Sequence, residues 1–214
     1  MKKRSVALAK IRHFFADNSV LEVDVPTLST AAVADCYIDS LQTSIDIPSI
    51  GNQQPFFLHT SPEYAMKRLL CAGSGDIYFL GKVYRQGDYS PRHQPEFTML
   101  EWYRLDYSLD NMMEETALVI QLLLGKKTVI KLTYQQAFQQ YAHIENIHQA
   151  SAKECIRTLQ DFSVAEVVGV DKDDKSLWEQ LVFTEIVEKN LGKDSIACVY
   201  EYPAKDSALA KIST

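Results

Sequence analysis

The chain has 214 residues, 46% of them hydrophobic, enough to bury a real core in one domain or at most two. Charged residues make up 23%, and glycine and proline are sparse, so no stretch reads as disordered beyond loop tips and chain ends. A formal net charge of −6 argues against a protein whose main task is non-specific contact with nucleic-acid phosphates, although a local basic patch remains compatible with it.

Cys36, Cys71, Cys155 and Cys198 stand far apart and never as a CxxC pair. That spacing suggests neither a zinc ribbon nor a disulfide framework, and the four read as reduced, mostly buried thiols. No metal-ligand set is predicted. The basic start MKKRSVALAK is followed by IRHFFADNSV, which returns charge before a signal-peptide core can form, and no segment reaches the apolar length of a membrane span. A soluble cytoplasmic protein is the expectation.

In chain order, apolar residues recur at helical spacing from Arg4 to Ala16, with Asp17-Asn18 as the stop. Leu21 to Val25 alternates apolar and acidic residues and predicts a half-buried strand ended by Pro26. A possible strand near Ser44 to Ile47 precedes another at Pro55 to Leu58. Ser61, Pro62 and Glu63 have the form of a helix start: a hydroxyl cap, a proline in the first turn and a carboxylate at the positive end of the dipole. Glu63 and Lys67 sit four apart, and Gly73 to Gly75 should end that helix near Cys71.

Ile77 to Arg85 and Glu96 to Arg104 are rich in aromatic and aliphatic residues, with polar Gln86 to Pro95 between them, which predicts a long-looped β-hairpin. Helices are predicted at Leu109 to Leu124, Tyr134 to Tyr141, Ala152 to Phe162 and Ser176 to Asn190, and a last strand at Ile196 to Tyr202. There is no repeat and no linker-like composition shift. The expectation is a single α+β domain over residues 1–214, with antiparallel pairing favoured because the clearest strands form a hairpin.

As a strand, Glu96 to Arg104 puts Phe97, Met99, Glu101 and Tyr103 on one face. An aromatic plate, a carboxylate and a phenol in a row can stack on a planar base and hold a cationic group further along. Arg85, at the end of the preceding strand, suits a phosphate oxygen by its charge and its fork of donors. The structural alternative makes Phe97, Met99 and Tyr103 core residues and pairs Arg85 with Glu101; pattern alone favours it. His93 in its polar loop reads more simply as solvated than as a base or phosphate ligand. Glu63 serves the helix dipole as readily as it would an amine, and His59 reads as a strand-end residue. AGSGD at Ala72 to Asp76 lacks the lysine and length of a P-loop and is read as a turn.

The run from Val83 to Arg104, VYRQGDYSPRHQPEFTMLEWYR, resembles motif 2 of class II lysyl-tRNA synthetases. Its ending, PEFTMLEWYR, is similar to the branch of that family whose members ligate (R)-β-lysine to elongation factor P. Arg12 to Asp17, running into Val20 to Pro26, is similar to the family's first helix and motif 1. Thr60 to Leu70 resembles its TSPEYxMKRLL segment. The resemblance covers most of the chain and is weakest over Ser29 to Asn52 and Lys126 to Gly192.

The resemblance implies an antiparallel class II synthetase-like sheet flanked by helices and a ligase that uses ATP and Mg²⁺ to form an aminoacyl-adenylate. Residue by residue, it implies that Arg85 grips the α-phosphate, that Phe97 stacks on adenine, and that Gln86, Gly87, Asp88, His93 and Gln94 help hold ATP. Ser61, Pro62, Glu63, Glu101 and Tyr103 would bind the amino-acid substrate. The chain departs from the pattern at Arg85-Gln86-Gly87, where the family usually carries Arg-Asn-Glu, and at Gln94, where it usually carries asparagine. The family's third motif, glycine-rich with an ATP-binding arginine, is expected after Thr214, so the expected active site is incomplete at the C-terminus.

The readings that follow are an elongation factor P ligase, a lysyl-tRNA synthetase core fragment, and a non-catalytic binding module. The first is favoured by the LEWYR ending and by a chain that begins at the core, with no oligonucleotide-binding barrel or other anticodon-binding domain ahead of it. A homodimer through the motif 1 region, with Pro26 near the interface, is also implied; tRNA is the less expected partner, and no membrane is.

Overall fold

The computed structural model describes residues 1–35, 38–49, 52–87, 89–91, 93–207 and 209–212. Cys36 and Asp88 lie outside the described residues. The chain forms two compact units, Met1–Met112 and Met113–Thr214.

In the first unit, α1 spans Lys2–Asp17 and ends where Asn18 caps the carbonyl of Phe14. Strand β1 is only Leu21–Glu22, shorter than the alternating run predicts, and it pairs in parallel with β5 (Ile77–Tyr84). The pairing continues one residue further, as the Val23 amide donates to the Tyr78 carbonyl at 2.8 Å. β5 and β6 (Glu96–Tyr103) form the predicted antiparallel hairpin, completing a sheet of order β1-β5-β6. A second sheet, β2-β4-β3, is antiparallel throughout and consists of Leu28–Ser29, Asn52–Leu58 and Gln42–Ile47. Helix α2, Glu63–Cys71, follows β4, and Gly73 and Gly75 after it both adopt positive φ.

The two faces of the hairpin have different partners. On one, the fully buried Phe15 of α1 stacks on Tyr78, ring centroids 4.5 Å apart, and tilts against Trp102. Here Tyr78 donates to the Glu22 carboxylate at 2.8 Å, and burial raises the pKa of its hydroxyl. On the other face, Ile77, Phe79 and Val83 pack with Val25 and with Met66 of α2; Phe97, Met99 and Tyr103 of β6 join them. Gly81 leaves space that the Phe79 ring fills: a Cβ at that position would lie 2.5 Å from the ring's Cζ.

Helix α3, Leu109–Leu124, carries the division between the units. The second unit contains β7 (Thr128–Thr133) paired in parallel with β8 (Ser195–Tyr200). Antiparallel pairing therefore holds for the hairpin and the second sheet, while β1-β5 and β7-β8 are parallel. Helices α4 (Tyr134–Ala142), α5 (Ala152–Asp161) and α6 (Lys175–Val182) build a core around Phe138, Ile147, Cys155 and Val182. The helical path continues through a π-helical turn, Phe183–Val187, into α7, Glu188–Asn190. Glu179 is buried, with Lys205 Nζ 3.2 Å away as its counter-ion.

Cys71 is exposed, contrary to the expectation of mostly buried thiols, because it is the last residue of α2; Cys155 is buried and Cys198 intermediate. Burial pushes the Cys155 thiol up to about 11, leaving it a packing residue rather than a nucleophile. Among the described residues no helix is long and apolar enough to cross a membrane.

Candidate functional site

Sheet alternation brings Phe97, Met99, Glu101 and Tyr103 to one face of β6, and α2 lies over that face. Both sequence-level accounts of the row hold in part. Phe97, Met99 and Tyr103 do pack against the buried cluster, yet each keeps some exposure. Glu101 is half-buried among them, and the Tyr103 hydroxyl donates to its Oε1 at 3.0 Å.

Glu63 is the first residue of α2, so its carboxylate sits at the positive end of the helix dipole. Pro62 occupies the N-cap position and is fully buried, and the Ser61 hydroxyl accepts the Glu63 amide at a long 3.4 Å. The predicted Glu63–Lys67 pair is formed, with 2.7 Å between Lys67 Nζ and Glu63 Oε1.

The electrostatics tie these groups together. Burial is the largest influence raising the pKa of Glu101, and the charge of Glu63 adds to it; the Tyr103 hydrogen bond and Lys67 act the other way. The Tyr103 hydroxyl is raised too, first by burial and then by the Glu101 and Glu63 charges. Two carboxylates that act on each other, one of them accepting a phenol hydroxyl, can accommodate positive charge.

At the other end of the row, Arg85 follows β5 and continues the ladder, its amide donating to the Pro95 carbonyl at 2.9 Å. Its side chain does not pair with Glu101. The guanidinium lies over the Phe97 ring, 5.3 Å from the centroid, and Nε donates to the Thr60 carbonyl at 3.4 Å. An arginine stacked on an aromatic ring at a half-buried strand end combines a fixed cation with a flat apolar surface, which fits a ligand joining a phosphate to a base. The Thr60 carbonyl is a contact that sequence spacing does not reveal.

The hairpin loop holds the remaining predicted nucleotide contacts. Gln86 is exposed and its amide donates to the Asp39 carbonyl, forming an isolated bridge. Gly87 has φ +84°, a left-handed conformation that suits glycine at the position where the resemblance leads one to expect glutamate. His93 and Ser90 close a small turn, with Ser90 Oγ and His93 Nδ1 2.9 Å apart. His93 and Gln94 are exposed at the strand entry. His59 ties β4 to β5, with Nε2 2.7 Å from the Lys82 carbonyl oxygen.

A cleft of about 520 Å³ opens between the Leu28 to Val33 stretch, β4 and α2; it includes Ser61 and Tyr64 but none of Glu63, Glu101 or Tyr103. The charged groups are therefore the better guide to the site than the volume of this cleft. Among the described residues no group of three or more His, Cys, Asp or Glu side chains is placed to hold a metal ion.

The family model of class II tRNA synthetases (D, K and N) matches residues 1–214. The chain is 41% identical, over 214 residues, to an elongation factor P–(R)-β-lysine ligase of Yersinia enterocolitica. It is 40% identical to proteins of the same name from Yersinia pestis and Yersinia pseudotuberculosis. Each comparison covers 99% of this chain and 65% of the relative, so the chain spans a little under two thirds of the length of these relatives. A match along the whole chain, on a hairpin and helix that place the motif residues on one face, assigns it: the chain belongs to the class II tRNA synthetase family of the D, K and N type.

Proposed function

We propose that this chain acts in the ATP-dependent activation of lysine or (R)-β-lysine as an aminoacyl-adenylate, and in its transfer to a lysine side chain of elongation factor P. The observation that carries the reading is the arrangement along one face of β6. Arg85 over Phe97 stands at one end and the Glu63, Glu101 and Tyr103 group at the other. A lysine-type substrate has two ammonium groups for the carboxylates and a carboxylate of its own to present to the nucleotide. The 41% identity to a ligase of that name supports the choice of acceptor.

In the first step the substrate carboxylate attacks the α-phosphorus of ATP and pyrophosphate leaves. In the second, a lysine ε-amine of the protein acceptor attacks the acyl carbonyl, forming an amide and releasing AMP. Arg85 offsets the negative charge that develops on the phosphate, and Phe97 offers its ring to adenine. Gln86, Gly87, His93 and Gln94 line the approach of the nucleotide; the part expected of Asp88 falls on a residue outside those described. Ser61 and Pro62 set the backbone that presents Glu63. Arg85 would share the neutralisation of the nucleotide phosphates with Mg²⁺ brought in with ATP. No side-chain nucleophile is required, since positioning and electrostatics account for the chemistry.

The chain is read as the N-terminal part of a catalytic core working in the cytoplasm. A homodimer through the motif 1 region fits the exposure of Pro26 and Leu28 beside the buried Val25. The family model also covers enzymes that charge tRNA, so tRNA aminoacylation is the second reading.

The test is the intact mass of elongation factor P after incubation with ATP, Mg²⁺, (R)-β-lysine and the protein, run with this chain and with the full product of its gene. Gain of one β-lysyl group, lost in Arg85→Ala, is the expected outcome. No gain with either protein while tRNA becomes charged would replace this reading with the synthetase one. No gain together with no nucleotide binding would leave a non-catalytic module.

A further inference from the structure

Glu63 already has a cation. Lys67 lies one turn along α2, its Nζ 2.7 Å from Glu63 Oε1, with both side chains about one third exposed (39% and 33%). The ionisable groups acting on Glu101 are Tyr103 from its own strand and Glu63 and Lys67 from α2. Glu63 thus acts as a second negative charge on the half-buried Glu101, raising its proton affinity, and Lys67 acts against it.

We propose, resting on the amine-recognition reading above, that Lys67 is a positioning residue: its ion pair fixes the Glu63 carboxylate at the start of α2 and places a positive charge near Glu101, so that the two carboxylates are held ready for ammonium groups. The pair uses one oxygen of Glu63, Oε1. An isolated ion pair of this kind contributes little to stability. Its effect here is on charge, because it leaves the group with one net negative charge in place of two when both carboxylates are ionised. A doubly ammonium, singly carboxylate ligand, itself carrying one net positive charge, then closes the site at neutrality.

The direction of each effect can be read. Lys67 lowers the proton affinity of Glu101, so its removal lets Glu101 hold a proton to higher pH. The ligand's amines stay charged across that range. The expected result is pH-selective: Lys67→Met weakens binding at the acid end and changes it little above neutrality. A helix surface contact with no part in recognition would shift nothing, or would weaken binding equally at all pH values.

The experiment is calorimetric titration of the chain with L-lysine and with (R)-β-lysine from mildly acid to mildly alkaline pH, on the unmodified protein, Lys67→Met and Lys67→Arg. Lys67→Met should move the acid limb of affinity to higher pH and cost about three- to tenfold in affinity at its acid end. Lys67→Arg, which keeps the charge at the same helical spacing, should restore the original limb. Binding by the unmodified chain with an unchanged pH profile in Lys67→Met overturns the inference alone. No binding of either amino acid by the unmodified chain at any pH overturns the amine reading and this inference with it.

Discussion

A carboxylate held half-buried beside a second one is a cost to the fold, and Glu101 is in that position. Its pKa is raised in the folded state, so the folded state binds the proton more tightly than the unfolded one. The stabilisation this brings is complete below the ordinary carboxylate range and is lost as pH rises through the folded value. Near neutrality the ionised side chain therefore adds nothing to stability, in keeping with the recognition role proposed for it. Glu101→Gln, which can still accept the Tyr103 hydroxyl, should melt at the same or a slightly higher temperature at neutral pH, with a gain of about 1 kcal/mol or less. It should show no such gain in acid, and it should lose lysine binding. Thermal melts at the two pH values, alongside a binding titration, check all three outcomes. The shared face of Phe97, Met99, Glu101 and Tyr103 was legible because strand alternation needs only the correct assignment of a strand. The partner of Arg85 was not. Linear spacing offered Glu101, whereas the guanidinium meets Phe97 and a backbone carbonyl at Thr60, from a segment 25 residues away.

Elements with strong local chemistry could be read from the sequence, and those held by distant partners could not. Helix α2 stops before Gly73 as expected, but it starts at Glu63 with Pro62 at the N-cap and no side-chain cap from that position, so the hydroxyl cap expected of Ser61 is reduced to its long contact with the Glu63 amide and the proline stands one position ahead of the first turn. Helix α4 begins with a reciprocal cap, the Gln136 amide donating to Thr133 Oγ1 at 3.1 Å and the Thr133 amide to Gln136 Oε1 at 2.8 Å. Thr133→Ala should therefore lower the stability of its unit by about 1 kcal/mol, measured by denaturant unfolding, while Thr133→Ser should retain most of it. Strand β7 was not anticipated. Its sequence, TVIKLT, is rich in β-branched residues, but its pairing partner β8 lies more than sixty residues further along the chain. The run Ser176 to Asn190 was read as one helix and is one helical path, yet with a π-helical turn inside it. Thr184 Oγ1 there donates back to the Gln180 and Leu181 carbonyls, a local competition with the main-chain ladder that hydrophobic spacing does not register.

For the molecule as a whole, the α+β class and the β5-β6 hairpin of the first unit followed from alternation and composition, and the family from motif likeness over most of the length. The two-unit division left no mark in composition, since it falls at Met112 and Met113 inside α3, where no glycine, proline or polar linker stands. The sheet order β1-β5-β6 has a further meaning. β6 is bonded to β5 along one edge, and along its other edge it pairs with no strand among the described residues. Alternate residues of an antiparallel strand direct their N–H groups away from the partner. When the chain is placed in deuterated water, every second amide from Glu96 to Leu100 should exchange on the order of a hundred times faster than its neighbours or more, a sawtooth that β5, flanked on both sides along its first residues, should lack there. Amide-resolved exchange measured by NMR would show that sawtooth if the strand carrying Phe97, Glu101 and Tyr103 is held from one side only. Uniformly slow exchange along β6 would mean that a second backbone lies against it in solution.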